Sequence, residues 1–263
     1  MFGFLIKKAF FNFWDNLYRM MLINLGFILV LALSLLAIAG INLLPFQNDI
    51  LKTILFVIIP LLLFHIYSGG VHGMAKDVID YNKPGFLDFF KYLKMNLVPS
   101  IIFGMINALL AVLFVFATMF YIANGHLFFS IPAIAFLFWA SVLWLGASQF
   151  FFPILLGLDK NIFKALKKMI LIFLDNPFFS IGTFLYSLVA VLLSIPTLLI
   201  LPGFAFLPVI HNSALKLRLL KYDYIEENPG ADPRKIPWES LLAEERKKIG
   251  KRTVKGFIFP WKD

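Results

Sequence analysis

Six long apolar stretches alternate with short polar or basic segments along the chain. Roughly 20 helical residues cross a bilayer core about 30 Å thick, and most of the stretches reach that length. The pattern predicts an all-α polytopic membrane protein with six transmembrane helices. The predicted spans are residues 20–44, 53–74, 97–122, 128–156, 177–199 and 202–215.

The last two spans share one apolar run, residues 177–210, which barely holds two helices. Pro196, Pro202 and Gly203 interrupt this run, and proline removes a backbone donor and clashes with the preceding helical turn. We therefore expect a tight turn between a fifth and a sixth helix. A re-entrant fifth segment is the competing interpretation.

The basic residues fall almost entirely on one side of these spans. Of the 24 Lys and Arg residues, 23 lie in segments that the alternating spans place on the same side, and only Lys52 lies on the other. Short loops rich in Lys and Arg stay cytoplasmic, so both termini are predicted to be cytoplasmic. Residues 37–39 mimic a signal-peptide cleavage site, but the basic segment before the apolar stretch is too long for a signal peptide, and we expect no cleavage.

Composition supports the same class of protein. Hydrophobic residues make up 60% of the 263 residues and charged residues only 15%, whereas charged residues approach a quarter of a soluble domain. The absence of cysteine excludes disulfides, thiolate metal sites and thiol nucleophiles. The net charge of +9 is explained by attraction of anionic headgroups to the helix ends, and we expect no nucleic-acid partner.

Each pair of spans follows a Phe-rich, basic segment with helical periodicity. In the third segment, Ile162, Leu166 and Met169 share one face, while Lys164 and Lys167 take the opposite face. The other two segments are residues 6–19 and 86–95. Such amphipathic helices lie in the interfacial plane of a membrane. The sequence therefore predicts three parallel hairpin repeats, each introduced by an amphipathic interfacial helix.

An asparagine stands where each amphipathic segment meets the following span. These residues are Asn16, Asn96 and Asn176. An Asn side chain at that position can accept hydrogen bonds from the first unpaired N–H groups of the new helix, and Pro177 suits a first helical position. We interpret the three residues as helix-junction caps.

Uncharged polar side chains are scattered within the predicted spans, which contain no Asp, Glu, Lys or Arg. Ionisable groups within a membrane usually mark ion or proton pathways, so their absence counts against a cation-coupled transporter. Four polar residues near the cytoplasmic span ends are candidates for lining a solute path. They are His72, Gln149, His211 and Asn212. Hydrogen bonding between helices is the alternative role.

Other side chains that could carry chemistry have a simpler explanation. His65 and His72 share a helix face, but two histidines without a Cys fall short of a ligand set, so we expect no metal site. Trp139 and Trp144 could stack on a sugar, although packing within the bundle is commoner. We recognise no catalytic triad, paired catalytic carboxylates or phosphate-binding glycine loop, and expect no enzymatic activity and no cofactor.

Gly69, Gly70 and Gly73 form a patch of small residues on the second predicted span. Small residues four positions apart let two helices approach closely. We expect this patch to pack against another helix of the same chain, and a homodimer contact is the alternative.

The chain changes character after the last span, which predicts a six-span domain over residues 1–224 and a basic cytoplasmic tail over residues 225–263. Six basic residues and a following aromatic segment favour contact with anionic lipid. They are Arg246, Lys247, Lys248, Lys251, Arg252 and Lys255. Docking onto a cytoplasmic partner is the alternative.

Three parts of the chain resemble the YesL-like family of bacterial integral membrane proteins. They are residues 24–31; residues 69–76 with 86–90; and residues 151–153 with 163–166 and 176–178. The resemblance extends over residues 1–224. It implies a location in the bacterial plasma membrane and, because members are often encoded beside sugar-uptake ABC transporters, an accessory or regulatory role.

The sequence therefore suggests a non-enzymatic accessory protein whose partners are the lipid bilayer and the subunits of a sugar ABC transporter. Two alternatives stay open. The protein could be a small-solute transporter or channel in its own right, which the hairpin pattern and the intramembrane polar residues favour. It could also be a lipid-organising scaffold, which the wide amphipathic surface favours.

Overall fold

The computed structural model describes residues 1–43, 45, 48–123, 127–230, 232 and 235–258. Within these ranges the regular elements are helices joined by short turns. The α-helices are α1 (Phe2–Trp14), α2 (Leu17–Leu43), α3 (Asp49–Ile79), α4 (Phe86–Met95), α5 (Leu97–Ala123), α6 (Leu127–Ser148), α7 (Phe151–Gly157), α8 (Ile162–Asp175), α9 (Pro177–Ser194), α10 (Phe206–Glu227), α11 (Trp238–Leu241), α12 (Ala243–Ile249) and α13 (Val254–Ile258).

Five helical segments in the described ranges are long and apolar enough to cross a membrane. They are Leu17–Leu43, Asp49–Ile79, Leu97–Ala123, Phe128–Gly157 and Pro177–Thr197. These segments carry the first five predicted spans, although the fourth is interrupted where α6 ends and α7 begins. An all-helical protein compatible with several membrane crossings is therefore confirmed.

The sixth predicted span differs from the other five. Residues 198–205 form turns, and α10 then runs well past residue 215 into a charged segment. The helix is also buried by protein, because Val209, Ile210 and Leu217 have no exposed surface. Helix α10 packs against α1, α3, α7 and α9. Its apolar residues therefore contact other helices, and α10 is not among the five candidate spans of the described ranges.

The three predicted amphipathic segments correspond to α1, α4 and α8, and each ends one or two residues before a long apolar helix. Their surroundings differ. Helix α4 exposes Phe86 and Leu87, and α8 exposes Phe163 and Leu174, as expected for helices with an apolar outer face. Helix α1 instead packs against α10, and even its Lys8 is fully buried.

The asparagines at the helix junctions stand at the predicted breaks, but the hydrogen bonds of their side chains differ from those of caps. Asn176 precedes α9 without a side-chain capping bond, and its Oδ1 accepts from Arg218 Nη1 at 2.8 Å. Asn96 Nδ2 donates to Gly69 O at 2.9 Å. Asn16 Oδ1 accepts from Arg19 Nη1 at 3.1 Å. The cap interpretation is therefore wrong for Asn176, whose side chain joins α9 to α10, while the side chain of Asn96 joins α5 to α3.

The glycine patch of α3 is covered by α4 and α5 of the same chain. A Cβ atom on Gly70 would lie 2.7 Å from Phe89 Cε2, one on Gly69 would collide with Ser100, and one on Gly73 would collide with the ring of Tyr92. Such distances leave no room for a side chain. The glycines therefore serve helix packing within the chain.

Ion pairs gather separate polar segments at one end of the bundle. Lys216 Nζ of α10 lies 2.8 Å from Asp80 Oδ1 at the end of α3. Arg252 contacts Asp15, which follows α1, through both of its terminal nitrogens at 2.8 and 2.9 Å. The N-terminal helix, the end of α3, the second half of α10 and the C-terminal helices are consequently neighbours. Residues 238–252 are therefore folded onto the bundle.

Candidate binding cavity

A cavity of about 380 Å³ lies between the apolar helices α3, α5, α6 and α9 and the buried helix α10. Its wall contains three of the four residues predicted to line a solute path: His72, Gln149 and His211. The fourth, Asn212, lies directly behind His72. Five further polar residues complete the lining. They are His65 and Ser68 of α3, Asn107 of α5, Ser148 of α6 and Ser187 of α9.

His72 is held in a fixed orientation by two neighbouring helices. Asn212 Nδ2 donates to His72 Nδ1 at 3.1 Å and to Pro208 O at 2.8 Å. Because Nδ1 accepts this bond, the neutral ring carries its proton on Nε2. Phe152 stacks on the imidazole at a centroid distance of 5.0 Å and an angle of 25°. Asn212 therefore lies behind the cavity wall, where it orients His72 without lining the cavity itself.

His211 occupies the other side of the same cluster. Its ring lies 5.9 Å from that of His72, with an angle of 22° between the planes. His211 Nε2 and Ser187 Oγ are 3.0 Å apart, and Ser187 Oγ also lies 3.0 Å from Thr183 O. A hydroxyl has a single proton, so Ser187 accepts from His211 when it donates to Thr183. The cluster therefore joins α3, α9 and α10.

Gln149 reaches the cavity because the helix is interrupted next to it. Helix α6 ends at Ser148 and α7 begins at Phe151, with a turn in which Phe150 N donates to Ala147 O at 3.0 Å. Gln149 Nε2 donates to Ser180 O at 3.0 Å. Its Oε1 is buried without a hydrogen-bond partner among the described residues. Gln149 therefore lines the cavity while this oxygen is covered by neighbouring atoms.

His65 and Asn107 extend the polar wall, and neither was assigned to the predicted path. Asn107 Oδ1 accepts from Trp144 Nε1 at 2.9 Å, and His65 Nδ1 lies 2.7 Å from Leu61 O. Helical spacing does connect His65 with His72, but only the tertiary packing brings Asn107 beside them. The aromatic rings of the lining belong to phenylalanines, namely Phe64, Phe103, Phe152, Phe184 and Phe204.

The two tryptophans considered for sugar stacking have other surroundings. Trp144 donates its indole N–H to Asn107 and packs against the buried cluster around Phe103. Trp139 exposes 62% of its surface on the outside of the bundle. Stacking of a ligand in the cavity would therefore use the phenylalanine rings.

The cavity has no formal charge in its lining. Its described residues include no Asp, Glu, Lys or Arg, and apolar side chains make up the larger part of the wall. Within the ranges that the structure covers, no three His, Asp or Glu side chains are arranged to hold a metal ion. Such a wall suits an uncharged molecule with an apolar body and a few hydrogen-bonding groups.

A second polar cluster, at the charged end of the bundle, was not anticipated from the sequence. Lys8 of α1 forms a buried ion pair with Glu245 of α12, and Lys216 Nζ lies 3.1 Å from the other carboxylate oxygen of Glu245. Tyr81 donates its phenolic O–H to Glu245 Oε2 at 2.9 Å. One carboxylate therefore serves three partners on α1, on α10 and after α3.

Burial and pairing act against each other in this cluster. Burial would raise the pKa of Glu245, but the hydrogen bond and charge of Lys8, together with Lys216, outweigh it and lower the pKa to about 2. Burial lowers the pKa of Lys8 to about 8 despite the nearby carboxylate. Burial and the carboxylate of Glu245 both raise the pKa of Tyr81. Near neutral pH Glu245 is therefore ionised.

The six basic residues predicted to face lipid have different environments. Arg252 is paired with Asp15, and Lys248 Nζ lies 5.2 Å from the centroid of the Tyr81 ring. The side chain of Lys255 lies outside the described part of the chain. The other three line a groove beside α1, and they are Arg246, Lys247 and Lys251. The described lining of this groove contains no Asp or Glu.

Comparison with known proteins adds no family or fold assignment. No protein-family model matches the chain, and neither the curated proteins nor the solved structures give a significant match.

Proposed function

We propose that this protein is a non-enzymatic integral membrane protein that binds an uncharged small molecule in the cavity between its apolar helices. The observation that carries the proposal is the convergence of His72, His211 and Gln149 from three helical segments on one cavity whose described lining has no formal charge. This proposal corresponds to the small-solute alternative considered from the sequence.

The chemistry of the wall narrows the class of ligand. An ionised solute would lose its hydration without a counter-charge from the described lining, which is strongly unfavourable. A neutral molecule with hydroxyl or amide groups could instead form hydrogen bonds with polar side chains of the lining, such as Ser68, Ser148 and His211. The phenylalanine rings provide an apolar surface for the rest of the molecule.

Native mass spectrometry of the protein purified in mild detergent tests the proposal. We expect a bound neutral molecule on the natural chain and its loss in the variant His211→Phe, which removes a polar group from the wall and slightly narrows the cavity. The variant Leu109→Phe is the control, because Leu109 is 60% exposed on the outer face of α5. Equal occupancy in both variants, or a bare chain in all three samples, contradicts the proposal.

We further propose that the protein acts in the bacterial plasma membrane as an accessory to a sugar ABC uptake system. The resemblance of residues 1–224 to the YesL-like family supports this role. Affinity purification in mild detergent should recover transporter subunits, and their absence from the purified material contradicts the accessory role. Solute flux through liposomes that contain the purified protein alone would favour a transporter instead.

A further inference from the structure

A basic groove runs between the N-terminal helix α1 and the C-terminal helix α12. Its walls combine residues from the two ends of the chain: Gly3, Phe4 and Lys7 on one side, and Arg246, Lys247, Gly250 and Lys251 on the other. Four of these side chains are cationic, and the described lining contains no carboxylate. Their combined charge makes the groove attractive to an anion.

The shape of the groove is fixed by buried contacts beneath it. The ion pair between Lys8 and Glu245 holds α12 against α1, and Lys7 Nζ donates to Gly250 O at 3.1 Å. Leu242, immediately before α12, and Ile249, its last residue, are each at most 2% exposed. The basic side chains are therefore presented by a packed part of the fold.

An aromatic cluster adjoins the basic groove. Lys251 also lines a neighbouring groove that contains Phe257, and the ring of Phe257 lies 4.6 Å from that of Trp14. Phe10 stacks on Trp14 at 6.2 Å, and Trp14 remains 41% exposed. Tryptophan beside basic residues is characteristic of the membrane–water interface, where the rings meet acyl chains and the cations meet headgroups.

We propose that the groove between α1 and α12 binds the headgroup of an anionic phospholipid. The cations Lys7, Arg246, Lys247 and Lys251 contact the phosphate, while the cluster of Phe10, Trp14 and Phe257 contacts the start of the acyl chains. The site is separate from the cavity. It also differs from a flexible basic tail, because residues of α1 and residues of the C-terminal segment form it together.

Lipid retention tests this proposal. The triple variant Arg246→Gln, Lys247→Gln, Lys251→Gln and the natural protein are each placed in nanodiscs with equal phosphatidylglycerol and phosphatidylcholine, extracted in mild detergent and measured by native mass spectrometry. Each basic residue near an anionic surface contributes about a fivefold gain in affinity, so we expect phosphatidylglycerol retention to fall at least about tenfold. Phosphatidylcholine retention should not change.

A second triple variant provides a control with the same net charge: Lys160→Gln, Lys164→Gln, Lys167→Gln, all at exposed positions outside the groove. It should lower phosphatidylglycerol retention clearly less than the groove variant does, because its lysines are not gathered around one groove. Equal loss in both triple variants, or no preference for phosphatidylglycerol in the natural protein, overturns the proposal. If the groove variant does not purify, Lys251→Gln alone is measured in the same way. Unchanged phosphatidylglycerol retention in this variant also overturns the proposal.

Discussion

Lys8 and Glu245, which are 237 positions apart in the chain, form an ion pair that is closed off from solvent. Lys8 Nζ also donates to Ile79 O and to Tyr81 Oη, both at 3.2 Å. The N-terminal helix α1, the end of α3 and the short helix α12 therefore meet at one buried cation. This contact turns the C-terminal segment into part of the folded bundle.

Removing one partner of this pair should release the C-terminal helices. The variant Glu245→Gln leaves the buried Lys8 without its carboxylate, and breaking a buried pair on one side typically costs about 3–5 kcal/mol. We expect amide hydrogen exchange in residues 238–249 to become faster by at least about a hundredfold, while exchange in α3 stays slow.

The exposed pair of Arg252 and Asp15 is the matched control. Both side chains are 45% exposed, so the variant Asp15→Asn should cost no more than about 1 kcal/mol and change the exchange of α12 little. If Asp15→Asn accelerates exchange in α12 as much as Glu245→Gln does, the buried pair is not the main anchor.

Acid should weaken the docking of α12. The pKa of Glu245 is about 2 in the docked state and near the ordinary value of 4.5 when the segment is released. A carboxylate with a lowered pKa stabilises the docked state above pH 4.5, and this contribution is lost as the pH falls from 4.5 towards 2. Spin labels on cysteines introduced at Lys83 and Ser240 measure the distance between these two positions. Because the natural chain has no cysteine, only the introduced residues are labelled.

The distance distribution between these labels should be narrow at pH 7 and should broaden as the pH approaches 3. In the background of Glu245→Gln it should be broad at both pH values. A narrow distribution at pH 3 in the otherwise natural chain would show that protonation of Glu245 does not control docking.

Close helix packing makes Gly73 sensitive to even one methyl group. A Cβ atom at this position collides with the ring of Tyr92, so Gly73→Ala should lower the stability by about 1–3 kcal/mol, as overpacking generally does. Thermal unfolding in detergent measures the effect. Gly40 has nothing within 4 Å of the corresponding position, and Gly40→Ala should show no loss. Equal unfolding temperatures for both variants contradict the packing described for α3 and α4.

Asn212 should set the tautomer of His72. Replacing it by Leu keeps the volume but removes the bond to Nδ1, and a hydrogen bond between helices in a membrane contributes about 0.6 kcal/mol on average. We expect Asn212→Leu to lower stability only slightly. Nitrogen NMR of histidine-labelled protein, which has four histidines, should show His72 moving from the Nε2–H form to a mixture.

The control for Asn212→Leu is Ser34→Ala. This variant removes a hydroxyl whose hydrogen bond stays within its own helix, to Val30 O. It should leave the His72 signal unchanged. A His72 signal that is the same in the natural chain and in Asn212→Leu would contradict the geometry of the cavity wall.

Local patterns in the sequence predicted the helices well because hydropathy and periodicity act over neighbouring residues. The breaks at Asn16, Asn96 and Asn176 are examples, since each separates a short amphipathic helix from a long apolar one. His72 and Gln149 could be selected as candidate path residues because polarity within an apolar stretch is visible in the sequence alone, and both line the cavity.

Long-range pairing could not be predicted in the same way. Nothing local distinguishes Lys8 from the neighbouring Lys7, yet one is buried against Glu245 and the other lines a groove. Likewise, the apolar residues of α10 contact other helices, which hydropathy does not separate from contact with lipid. The roles of Asn96 and Asn176 depend on helices that are remote in sequence, so an argument from capping preference could not reveal them.

We propose that the apolar helices cross a membrane and that the charged end of the bundle, including the C-terminal helices, lies on the cytoplasmic side. Single cysteines in place of Asp49, at the opposite end of α3, and of Ser240 test it directly with a membrane-impermeant thiol reagent. The account predicts modification of Asp49→Cys in intact cells and of Ser240→Cys only after permeabilisation. Modification of Ser240→Cys in intact cells, or protection of Asp49→Cys, would contradict it.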